Sequence, residues 1–156
     1  MKRILRILTL ALVLLIGVAC FVSCAQMEQK VGKVVSEAAV KAAAEELDKQ
    51  GIDYQLADQA QLAEMQKELA QILAEEYGIE MQGELTAAVS GDYTNSETGE
   101  WVFYRTFGFA SAADADAMET LANDEYADEI AQGKAKVVNG GYVVGVTVSS
   151  MVIEQE

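Results

Sequence analysis

Histidine and proline are both missing from this chain of 156 residues. Without histidine the protein has no imidazole general base, no Ser-His-Asp or Cys-His pair and no histidine ligand for a metal. This excludes most hydrolase mechanisms and most zinc sites. A glycine-rich phosphate loop is also missing, because the segment NGGYVVG lies at a predicted hairpin turn rather than between a strand and a helix. We therefore expect that the protein is not an enzyme and carries no cofactor.

Cysteine is confined to two positions near the start of the chain, Cys20 and Cys24. Any domain that follows them holds no disulfide, so its stability must come from its core alone. Because 51% of all residues are hydrophobic, such a core is available. The length suits one domain after removal of a targeting segment.

Basic residues are few, since 25 acidic side chains face only 11 basic ones and the formal net charge is −14. Removing the first 23 residues takes away three basic and no acidic side chains, which leaves −17. Such a field repels nucleic acid and anionic lipid headgroups. The negative charge keeps the protein soluble, or it favours the binding of a basic partner or a cation. Nucleic acid is not an expected partner.

The N-terminal segment has the layout of a secretory signal. Three basic residues are followed by an almost unbroken apolar run over residues 7–22. The run is about 16 residues long, whereas a comfortable membrane span needs about 20. The sequence Phe21-Val22-Ser23-Cys24 after it resembles the bacterial lipoprotein box, in which the cysteine is lipidated and becomes the new N-terminus. The resemblance implies a signal peptide over residues 1–23 and an acyl group on Cys24.

A lipidated Cys24 would anchor the protein to the cell membrane on its extracytoplasmic face, because two or more acyl chains hold a protein stably on a bilayer. Two alternatives remain open. Cleavage after Ala25 would release a secreted protein, since Ser23 and Ala25 form a small-residue cleavage pattern. An uncleaved segment would act as a signal anchor.

Helical periodicity predicts two helices after this segment. The first covers residues 26–50 and ends at Gly51; the second runs from Asp58, as its cap, to Tyr77. The apolar face predicted for the first helix is the set Val31, Val34, Val35, Ala38, Ala42 and Leu47. The stripe predicted for the second is Leu62, Met65, Leu69, Ile72 and Leu73.

After Gly83 the pattern changes to a period of two, which is typical of strands. The segment ELTAAVS predicts a strand with Leu85, Ala87 and Val89 on one face, and WVFYRTFGF predicts a second strand after a turn-rich loop. A third helix is predicted up to Gly133.

Two turn signals complete the pattern. Ser111 and Asp114 resemble a capping box that opens the third helix. The pair Asn139-Gly140 predicts a second hairpin.

The order of these elements predicts an α+β fold. We expect two N-terminal helices, then a four-stranded antiparallel sheet of ββαββ order with helices packed on one face. Residues 24–54 would form an N-terminal helix that pairs with the second helix or serves as a stalk about 30 Å long. Residues 55–156 would form the α+β domain.

Candidate site residues lie on the strand WVFYRTFGF. Trp101, Tyr104 and Arg105 are the candidate ligand-binding residues, because aromatic rings and the last arginine of the chain occur together there. Arg105 alternates onto the same face as Phe103, Phe107 and Phe109, and we expect it to pair with a carboxylate or to bind an anionic ligand.

Two acidic groups are weaker candidates. The loop residues Asp92, Asn95, Glu97 and Glu100 offer oxygen ligands for calcium, although their spacing matches no EF-hand. The acidic residues of the third helix are expected to form a solvated face.

Together these features predict a small exported binding or interaction protein of the bacterial cell envelope. Its partners would be the membrane, through the N-terminal lipid or signal segment, and an envelope protein or small ligand that the sequence does not identify. A purely structural envelope protein and a carboxylate-dependent enzyme are the alternatives. A binding module should show a patch around Trp101, whereas an enzyme would need two converging carboxylates with shifted ionisation.

Overall fold

The computed structural model describes the backbone of residues 2–151 and the side chains of residues 26–149. Cys20, Cys24 and the cleavage position at Ala25 lie outside the described side chains. Among the residues described, no helix has an apolar stretch long enough to cross a bilayer.

The protein is an α+β protein with five strands in one antiparallel sheet. Two long elements come first: helix α1 (Lys2–Lys49) and, after a short edge strand β1 (Tyr54–Leu56), helix α2 (Gln59–Ile72), which continues as a π-helical turn (Leu73–Tyr77). The elements after it are β2 (Leu85–Thr94), β3 (Glu100–Phe109), α3 (Ala112–Glu125), α4 (Ala127–Ala131), β4 (Ala135–Asn139) and β5 (Val143–Met151). The strands are ordered β1-β2-β3-β5-β4 across the sheet.

The four predicted strands are present as β2 to β5, and β1 is an addition that the sequence pattern did not predict. It pairs with β2 over only three residues, so it was too short to show a period. The predicted third helix is divided at Tyr126, where the backbone leaves the helical region at φ −106° and ψ 24°.

Helices cover both faces of the sheet, which corrects the expectation that they pack on one face. Helices α2 and α3 cover one face with the larger core, in which the fully buried side chains include Leu73, Phe109 and Val144. Helix α1 covers β2 and β3 on the other face with a smaller core that includes Val40 and Leu47. Residues 32–47 therefore pack on the sheet, neither paired with the second helix nor projecting as a stalk. The predicted boundary at residue 55 falls within β1.

The face with which α1 contacts the sheet shares only Leu47 with the predicted one. Its buried residues are Gly32, Ser36, Val40, Ala44 and Leu47, whereas Val31, Val34 and Val35 are 45–69% exposed. The reason is that α1 lies unusually close to the sheet. A Cβ atom on Gly32 would lie 2.1 Å from the carbonyl oxygen of Ala110, and the Ser36 hydroxyl bonds that of Thr86 at 2.6 Å. A row of valines would hold the helix too far from the sheet for these contacts.

A bulge in β2 also changes the predicted alternation. The register shifts between Leu85 and Ala87, so Leu85 joins the core under α2 and α3, while Ala87 and Val89 face α1. Strict alternation had placed all three on one face. A bulge inserts one residue and reverses which side the following side chains take.

The start of α3 is built differently from the predicted capping box. The Ser111 side chain makes no capping hydrogen bond. Asp114 is instead 1% exposed and accepts hydrogen bonds from the backbone N–H groups of Gln82 and Gly83, both at 2.8 Å. Its carboxylate therefore holds the segment before β2 against α3.

Candidate functional site

A row of polar side chains crosses three neighbouring strands on the α2 side of the sheet. Gln55 of β1 lies opposite Ser90 of β2, and Ser90 lies opposite Arg105 of β3. Residues opposite one another in an antiparallel sheet direct their side chains to the same face. The short strand β1 thus extends the floor on which Arg105 lies.

Helix α2 forms the wall above this row. Its start is fixed by a capping box in which the Asp58 carboxylate accepts from the Gln61 N–H at 2.8 Å and the Asp58 N–H donates to the Gln61 side chain at 2.9 Å. The predicted cap at Asp58 is confirmed. From Gln61 onward, Glu64 and Glu68 follow on the same side of the helix, at successive turns.

Between wall and floor lies a cleft of about 380 Å³. Its apolar part consists of Ala57, Met65, Ala88, Val89 and the buried Phe107. Its polar part consists of Gln55, Gln61, Glu64, Glu68, Ser90 and Arg105. Apolar lining with a few convergent polar groups is the usual composition of a small-molecule site.

Arg105 is held by stacking on its neighbour along β3. Its guanidinium carbon lies 4.6 Å from the centroid of the Phe103 ring, which is within the range of a cation–π contact. Phe103 in turn stacks on Trp101, with ring centroids 5.6 Å apart and planes inclined by 18°. A cation–π contact uses the charge of the guanidinium and not its N–H donors, which stay available for a ligand.

The carboxylate partner expected for Arg105 is not found. Of the described side chains, none places a carboxylate oxygen within 4.0 Å of it, and the ion pairs present are Lys33–Glu84 and Lys49–Glu46. Arg105 is exposed. Its nearby carboxylates Glu64 and Glu68 line the same cleft without closing onto it.

The three candidate residues predicted from the sequence do not form one patch. Trp101 and Arg105 share a face with Phe103, but Tyr104 lies on the opposite face, where it packs against the core beneath α1. The residues missing from the sequence prediction are Gln55, Gln61, Glu64, Glu68 and Ser90. They come from three other elements, and no local spacing links them to Arg105.

Tyr126, between α3 and α4, lies close enough to Arg105 for their charges to interact. Burial raises the pKa of its phenol, the neighbouring Glu125 carboxylate raises it further, and the positive charge of Arg105 lowers it. The charge of Arg105 therefore acts beyond the cleft.

The calcium candidates are dispersed over a hairpin. Asp92 lies within β2 and Glu100 begins β3. The Asn95 side-chain oxygen accepts hydrogen bonds from the N–H groups of Glu97, at 2.9 Å, and Thr98, at 3.3 Å, so it stabilises the turn. In the described region no cluster of three or more acidic or cysteine side chains has the arrangement of a metal site.

A second cleft of about 450 Å³ lies between residues 26–33 of α1 and the segment before β2. Its charged groups include Lys33 and Glu84, which form an ion pair at 2.8 Å. The Gln29 side chain donates to the Gln82 carbonyl at 2.9 Å across it. Since these groups already bond one another, the Arg105 cleft is the better candidate site.

No known protein family, curated protein or solved structure matches this chain. The geometry of the cleft and the chemistry of its side chains are therefore the basis of the functional proposal.

Proposed function

We propose that the protein is a small exported binding protein of the bacterial cell envelope, lipid-tethered at Cys24, whose site is the cleft around Arg105. The observation that supports this proposal is an arginine without a carboxylate partner among the described residues in a chain of net charge −14. Several exposed lysines also lack an ion pair, but Arg105 is the cation that lines the cleft, where it lies over the Phe103 ring. The ligand group would be a carboxylate or phosphate, which matches the planar fork of arginine.

Trp101 provides a direct test, because it is the only tryptophan of the chain and stacks on the ring that carries Arg105. We expect its fluorescence, and the amide resonances of residues around the cleft, to change when the full chain in detergent micelles is titrated with small carboxylates and inorganic phosphate. Arg105→Gln should remove the response. Lys67→Gln, which removes an exposed positive charge of α2 outside the cleft lining, should leave it unchanged.

Equal responses of the wild type and Arg105→Gln would contradict the assignment of the site. The absence of any response across the panel would contradict simple carboxylates and phosphate as ligands of the cleft.

The tether is tested separately at its two neighbouring cysteines. Mass spectrometry of the membrane fraction should show an N-terminal Cys24 carrying acyl chains in the wild type and in Cys20→Ala, and no such species in Cys24→Ala. Recovery of a soluble form that starts at Gln26 would contradict the tether.

A further inference from the structure

The cleft contains charges of both signs that do not neutralise each other. Arg105 lies on the floor, whereas Glu64 and Glu68 lie on the α2 wall, and no N–O distance between them is as short as 4.0 Å. On the function proposed above, we propose that the ligand is a small zwitterion, an amino acid or short peptide, whose carboxylate binds Arg105 and whose ammonium binds Glu64 and Glu68.

The net charge of the protein disfavours a simple anion. A ligand with negative charge alone would enter against the field of 25 acidic side chains and beside two carboxylates of the cleft itself. A zwitterion carries no net charge, so the long-range field does not oppose it. Its ammonium also turns the local repulsion from Glu64 and Glu68 into attraction.

The rest of the lining suits the remainder of such a ligand. Met65, Ala88 and Phe107 provide an apolar surface for a side chain, while the side-chain amides of Gln55 and Gln61 can bond peptide or carboxylate oxygens. A volume of about 380 Å³ is at the small end of the range for ligand sites, which suits an amino acid or a dipeptide.

The contact of Arg105 with Phe103 supports the same assignment. The guanidinium carbon lies 4.6 Å from the ring centroid, and a guanidinium can offer two parallel N–H donors to a carboxylate. The stack also immobilises the long side chain before binding, which reduces the entropy lost when the ligand binds.

The test uses three ligands that share a side chain and differ in charge: leucine, leucinamide and N-acetylleucine. They are titrated against the full chain in detergent micelles, with Trp101 fluorescence and amide resonances as readouts. We expect leucine to bind at least about tenfold more tightly than either singly charged compound, because each of those loses one charge-assisted contact.

Variants separate the two charge contacts. Arg105→Gln should weaken binding of leucine and N-acetylleucine but strengthen that of leucinamide, whose ammonium no longer meets like charge. The double variant Glu64→Gln and Glu68→Gln should weaken binding of leucine and leucinamide but strengthen that of N-acetylleucine, which no longer meets like charge. Glu45→Gln, on the exposed side of α1, is the matched control and should change none of the three.

The outcomes distinguish this inference from the proposed function. If N-acetylleucine binds as tightly as leucine and Arg105→Gln removes it, the anion site stands and the zwitterion assignment is wrong. A response to O-phosphoethanolamine, the headgroup of a zwitterionic lipid, without one to leucine would overturn the amino-acid class. If no compound of either panel binds, both proposals fail.

Discussion

The two faces of the sheet are covered in opposite ways. On the α1 face, small residues bring the helix into direct contact with the strands, as shown by Gly32 against the Ala110 carbonyl and by the hydroxyl pair of Ser36 and Thr86. On the other face, Met65 and Phe107 separate α2 from the sheet and a cleft remains. The size of the side chains between a helix and a sheet thus decides whether a layer closes or can hold a ligand.

The edge strand β1 enlarges the polar surface of the face that holds the cleft. Strand β1 adds Gln55 beside Ser90 and Arg105, so the polar row continues beyond the part of the sheet that α3 covers. On the α1 face, the neighbouring β2 position Gly91 is tightly packed, since an added Cβ atom would lie 3.0 Å from the Asp53 carbonyl oxygen and 3.2 Å from the Leu47 side chain. The same three strands therefore form a site on one side and a packed layer on the other.

The largest loss of stability should come from a substitution that forces α1 away from the sheet. Gly32→Val places a branched side chain where even a Cβ atom would lie 2.1 Å from the carbonyl oxygen of Ala110. Neither backbone can move away without unseating α1, so we expect a loss of more than about 3 kcal/mol in the free energy of unfolding. Urea denaturation of the full chain in detergent micelles, followed by circular dichroism, measures it.

Ala38→Val is the matched control, since it adds the same side chain to the exposed side of the same helix. We expect a change within about 0.5 kcal/mol there. If Gly32→Val is as stable as Ala38→Val, α1 is not seated on the sheet in solution and the contrast between the two faces is lost.

A smaller loss of stability is expected from a substitution at the start of α3. Asp114→Ala removes the buried carboxylate that accepts hydrogen bonds from the backbone N–H groups of Gln82 and Gly83. Losing two partly buried hydrogen bonds to a charged group should cost about 2–3 kcal/mol. The same denaturation measurement applies.

Asp116→Ala is the control for this change, because Asp116 is exposed on the same helix and its partner Asn139 also donates to Glu119. A loss below about 1 kcal/mol is expected there. Equal losses in both variants would show that the segment before β2 is not held by Asp114.

The sequence predicted those parts of the fold that depend on local chemistry. The cap at Asp58 and the hairpin at Asn139-Gly140 are both present, and Asn139 accepts from the Gly141 N–H at 2.8 Å within that turn. Each depends on residues a few positions apart, so a single sequence contains the whole signal. The α+β class follows from the order of such elements.

The sequence did not predict which face of α1 is buried, because hydrophobicity alone favours Val31, Val34 and Val35. The real determinant is the space left by Gly108 and Ala110, which are distant in the chain. The residues of the site were missed for the same reason, because most of them are distant from Arg105 in the chain. Arg105 was recognised from its own strand, but the groups around it belong to β1, α2 and β2.

The smallest predicted effect concerns the ionisation of Tyr126 next to the cleft. Burial is the main cause that raises its pKa above the ordinary value of 10.0, with the Glu125 and Glu129 carboxylates adding to it and Arg105 opposing it. Arg105→Gln should therefore raise the pKa of Tyr126 further, as seen by ultraviolet absorbance titration against a Tyr126→Phe reference. A raised phenol pKa contributes stability that is present below pH 10 and is lost as the pH rises through the folded value. If Arg105→Gln leaves the titration unchanged or lowers the pKa, the guanidinium does not lie close enough to Tyr126 to act on it, and its charge is confined to the cleft side of β3.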